Sequence, residues 1–64
     1  MSAMTASQHH QKYCDLVKSA QQLNDEKQDD DGFLGSEDQQ TFDTMMADAQ
    51  KHKDRSVALT NLEN

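Results

Sequence analysis

Apolar residues along this chain recur at helical spacing. Tyr13, Leu16, Val17, Ala20 and Leu23 follow one another at steps of three and one, which puts them on one face of an α-helix. Carried backward, the same face reaches Ala6 and His9. After a polar gap the pattern resumes as Phe42, Met45, Met46, Ala49, His52, Ser56 and Leu59, a heptad series whose apolar positions lapse in the middle. Val57 and Leu62 broaden that stripe near its end. The spacing predicts two helical arms with one narrow seam on each.

Local signals set the ends of the arms. Thr5 with Gln8 three residues on is a capping-box pair, which starts arm one near residue 5. Ser36 with Gln39 repeats the pattern, and Glu37 and Asp38 add negative charge at the positive end of the second helix dipole. Between them lies Asp29-Asp30-Asp31-Gly32-Phe33-Leu34-Gly35, which holds both glycines of the chain. Gly32 is expected just beyond the C-cap of arm one. Proline is absent, so nothing forces a break inside either arm. The prediction is one domain over residues 1–64: arm one about 5–27, an acidic elbow at 28–35, and arm two about 36–62, roughly 39 Å long.

Folded back on the elbow, the arms form an all-α antiparallel two-helix hairpin of coiled-coil type. The expected register sets Leu23 against Phe42, Leu16 and Val17 against Ala49, and Tyr13 against His52. At least one of Phe33 and Leu34 should fold back over the arms. The seam is thin, and its outward Met and Leu atoms are expected to serve a second hairpin, so self-association is part of the expectation.

Composition supports this. With 64 residues, 33% of them hydrophobic, two Phe, one Tyr and no Trp, the chain has too little apolar surface for a packed globular core. The net charge of −6 is concentrated at the elbow, because residues 29–38 carry Asp29, Asp30, Asp31, Glu37 and Asp38 and no base. That disfavours nucleic acid and anionic membrane surfaces as partners. Cys14 is the only cysteine, which fits a reducing compartment. The chain has no apolar stretch of signal-peptide or membrane-spanning length, so the cytoplasm is the expected location.

Candidate chemistry is sparse. His10 and Cys14, four apart on a helix, could present two metal ligands, with His9 and His52 nearby, but two ligands are too few for a structural zinc site. The elbow resembles part of a calcium-binding loop, with Asp29, Asp31, Gly32 and Leu34 in suitable places. Lys27 stands where the first acidic ligand belongs, and Asp38 where a bidentate Glu belongs. No nucleophile–base set or pocket-forming pattern is present. The expectation is a non-enzyme with no metal, no cofactor and no small-molecule substrate.

Leu34, Glu37, Asp38, Phe42 and Asp43, followed by Met45 and Leu59 along the arm, resemble the delta domain of the tailed-phage major capsid protein. That family's pattern runs Leu-Thr-x-Glu-Glu-x-x-x-Phe-Asp into a long coiled-coil arm. Gly35 stands here in place of the Thr, and His52 and Ser56 replace large apolar residues. The resemblance implies a scaffolding segment that guides capsid subunits inside the immature shell in the host cytoplasm and is then removed by proteolysis. Its partners would be other copies and neighbouring capsid subunits. A free-standing helical hairpin serving as a small chaperone or regulatory adaptor is the alternative.

Overall fold

In the computed structural model, which describes residues 3–63, two helices pack against each other: α1, Ala6–Lys27, and α2, Ser36–Glu63. Among the described residues there is no strand. Met1, Ser2 and Asn64, included in the expected unit, lie outside the described residues. Both arms begin and end within a residue of the positions their patterns indicate.

The start of α1 follows from its own side chains. Thr5 Oγ1 accepts the Gln8 N–H at 3.1 Å, and Gln8 Oε1 accepts the Thr5 N–H at 2.8 Å, closing the predicted capping box. The start of α2 corrects the expectation. Its first helical bond runs from Gln39 N–H to the Gly35 carbonyl at 2.8 Å. Gly35 therefore holds the N-cap position, and Ser36 is the first helical residue. Gln39 does not reach back to complete a box; its amide donates to Asp43 Oδ1 at 2.9 Å, one turn ahead.

The elbow is organised by one carboxylate. Asp29 Oδ1 accepts the backbone N–H groups of Asp31 at 2.9 Å and Phe33 at 3.0 Å. The Asp29 backbone closes the same loop, accepting from Gly32 N–H at 3.0 Å and donating to the Phe33 carbonyl at 2.8 Å. Such a turn brings the chain into the left-handed region, and Gly32 takes it with φ of 84°. The C-cap of α1 is Gln28, so Gly32 sits within the elbow proper rather than directly after the helix. Of the two apolar elbow residues, Leu34 is half-buried and Phe33 is 70% exposed.

Ala20 and Ala49, each 1% exposed, are the buried centre of the seam. Half-buried residues continue it as Ala6, His9, Tyr13, Leu16, Val17 and Leu23 on α1, and as Asp38, Phe42, Met45, His52, Ser56 and Leu59 on α2. On α2 the steps alternate between four and three without a break, the signature of a coiled-coil stripe. Met46, predicted as a seam residue, is 39% exposed and lies on the flank instead.

The register differs from the expected one by about a helical turn. His52 meets His9 rather than Tyr13, and Ser56 Oγ donates to the Ala6 carbonyl at 2.9 Å. Continued heptad by heptad, this pairing sets Tyr13 opposite Ala49 and Ala20 opposite Phe42, and it moves Leu23 to the level of Asp38. Two polar contacts at the open end, His9 with His52 and Ser56 with Ala6, fix this offset, and it sets the largest side chain of each helix, Tyr13 and Phe42, opposite a buried alanine of the other.

The hairpin is long and thin, with extents of 47 × 23 × 13 Å. Its radius of gyration of 14.4 Å exceeds the roughly 11 Å of a compact chain of this length. Its accessible surface is 5070 Å², against about 4,100 Å² for a compact monomer of the same mass. Two helices sharing one seam leave most of each helix uncovered.

Candidate functional site

Polar chemistry gathers at the open end of the hairpin, where the first turns of α1 meet the last turns of α2. His9 and His52 occupy facing seam positions, and their Nδ1 atoms lie 2.8 Å apart. The ring centroids are 5.1 Å apart. An imidazole nitrogen lies about 1.1 Å from its ring centre, so the two nitrogens point almost head-on, as a hydrogen bond requires. Two ligands of one metal ion would instead converge on a point beside the line joining them. The pair is thus built to share a proton.

Other contacts frame this clasp. Lys53 Nζ lies 5.6 Å from the centre of the Tyr13 ring, a cation–π contact across the two helices. His10 turns away from the seam, with its ring tilted on Tyr13 at 6.1 Å and Nε2 3.6 Å from Cys14 Sγ. The i, i+4 spacing of His10 and Cys14 therefore produces the expected juxtaposition. Among the described residues, no three His, Cys, Asp or Glu side chains gather as metal ligands. At the elbow, Asp29 spends its Oδ1 on two backbone N–H groups, and Lys27 closes the last turn of α1.

A second feature lies along the flank. Val17, Ala20, Gln21 and Asn24 of α1 and Phe42 and Met46 of α2 line an open groove whose surface is mainly apolar. It runs beside the seam at the level of Ala20 and Phe42, with Met46 standing on the flank rather than in the seam. Of the predicted seam residues, Tyr13, Leu16, Val17, Leu23, Leu34, Phe42, Met45 and Leu59 are half-buried, and Ala20 and Ala49 are buried. Asp38, Asn24 and Cys14 are half-buried residues that the apolar pattern passes over. Asp38 stands four residues before Phe42, so extending the heptad backward would have found it.

No helix among the described residues is long and apolar enough to cross a membrane. No family model matches this chain, and no curated protein or solved structure does.

Proposed function

We propose that this hairpin is an assembly segment that works by helix–helix contact with other copies of itself. The observation that carries the reading is the flank groove at Val17, Phe42 and Met46, left open on a hairpin whose buried core, among the described residues, is Ala20 and Ala49. The surface in excess of a compact monomer is comparable to what one partner contributes to a standard interface, about 800 Å². In its specific form the reading is a capsid scaffolding segment, packed inside an immature shell in the host cytoplasm and later removed. Support for that form comes from Leu34, Glu37, Asp38, Phe42 and Asp43, the residues of the delta-domain resemblance. The role is non-catalytic. A contact that is weak in free solution suits it, because many copies held close together act collectively.

The same groove could receive a single helix of a different protein, which is the adaptor reading. Sedimentation equilibrium of the purified chain separates the two. The assembly reading requires a mass that rises with concentration and a Met46→Lys variant that stays helical but monomeric. A stably folded monomer at every concentration would reject it in favour of the adaptor. For the specific form, a shell protein carrying this segment should give regular particles by electron microscopy, and its deletion should give aggregates or misshapen shells.

A further inference from the structure

Charge is polarised along the hairpin. The elbow end, from Asp25 to Asp38, carries Asp25, Glu26, Asp29, Asp30, Asp31, Glu37 and Asp38 against Lys27 alone, a net of −6. The open end, residues 3–12 with 51–63, carries Lys12, Lys51, Lys53 and Arg55 against Asp54 and Glu63, a net of +2. These ends lie at opposite extremes of a 47 Å body. Between them lies the groove, formed by Val17 to Asn24 of α1 and by Phe42 and Met46 of α2, on the elbow side of the middle of each helix.

From this arrangement we infer that two copies pair groove to groove in an antiparallel, two-fold dimer, with the elbow of each lying beside the open end of the other. The inference rests on the self-association reading and adds the geometry. A two-fold axis through the groove makes the contact self-complementary and lets the hairpins overlap along most of their length. The product is a four-helix bundle in which Met46 of each copy enters the groove of the other, whose lining includes Phe42. Antiparallel pairing brings Asp29–Asp31 of one copy towards Lys51, Lys53 and Arg55 of the second. Parallel pairing would instead stack two elbows of net −6, a repulsion that salt only partly screens.

The test is a distance measurement between spin labels on the full chain, one per copy. Cys14→Ser removes the native thiol, and Asp30→Cys places the label at the exposed elbow. The antiparallel dimer sets the two labels roughly 35 Å apart, twice the axial distance from the elbow to the groove at 1.5 Å per helical residue, and the parallel one by no more than about the 23 Å width. The long distance is the expected result. The short distance overturns the geometry but leaves self-association standing. Loss of all dipolar coupling in a chain that is still helical by circular dichroism overturns both. Met46→Lys, which places a cation on the flank outside the seam, should keep the helicity and weaken pairing by about tenfold or more. An unchanged dimer in that variant would reject this groove as the contact.

Discussion

His9 and His52 make the open end of the seam depend on one residue pair. Their Nδ1···Nδ1 bond needs one protonated and one bare nitrogen, so the two rings take complementary roles. His52→Leu removes that partner and leaves a nitrogen of the half-buried His9 ring without its hydrogen bond, at a cost of about 1–3 kcal/mol. His9→Leu/His52→Leu leaves no orphaned nitrogen and extends the apolar seam, so the double variant should melt above His52→Leu. Thermal melts of the single and double variants check this; a double variant no more stable than His52→Leu would reject the clasp as a specific contact of the seam.

At the scale of the element, the elbow depends on two positions, Asp29 and Gly32. Gly32 has a positive φ, so Gly32→Ala forces a Cβ into the left-handed region at a cost of about 1–2 kcal/mol. In a chain this short, each kcal/mol lowers the melting midpoint by about 4–8 °C. Gly35 has no such constraint, and a Cβ there meets nothing within 4 Å. Gly35→Ser should therefore raise the midpoint slightly, since serine caps better than glycine by a few tenths of a kcal/mol. Paired melts of the two variants check both assignments, and a fall for Gly35→Ser would show that α2 is not capped there. Asp29→Ala removes the acceptor for two backbone N–H groups, and exposure limits the loss to about 1 kcal/mol.

For the whole molecule, the limiting quantity is buried apolar surface. One seam closed on two alanines must offset roughly 1–2 kcal/mol of backbone entropy per ordered residue. The free hairpin should therefore be only marginally stable, and its melting midpoint should rise with protein concentration as pairing adds a second interface. A cooperative melt above about 70 °C that ignores concentration would show the single seam to be sufficient. Phe42→Ser is expected to be the most damaging single substitution, because Phe42 fills the gap over Ala20 and also lines the flank groove. Full loss of a buried Phe costs about 3–5 kcal/mol, and the half-buried ring here sets the expectation at the lower end. Ala49→Leu should also destabilise, by about 1–3 kcal/mol, because no space remains at a residue 1% exposed.

Except for the cap of α2 at Gly35 and the outward place of Met46, the two helices, their approximate bounds, the elbow between them and most of the faces they turn inward were legible in the sequence. These features rest on local physics: the Thr5–Gln8 box, the pair of glycines, the absence of proline and the recurrence of apolar residues at three and four. The pairing across the seam was not legible. A heptad stripe keeps the same face when one arm slides by a turn, so periodicity alone admits both the Tyr13–His52 and the His9–His52 register. The His9–His52 bond and the Ser56–Ala6 bond select between them, and these are properties of two surfaces in contact. The role of Asp29 was hidden for a related reason, since three adjacent aspartates look alike until the turn places one carboxylate over the N–H groups of Asp31 and Phe33. The sequence alone determined most of the residues that face inward; the tertiary structure decided which of them meet, because size and hydrogen-bond geometry act between segments that are distant along the chain.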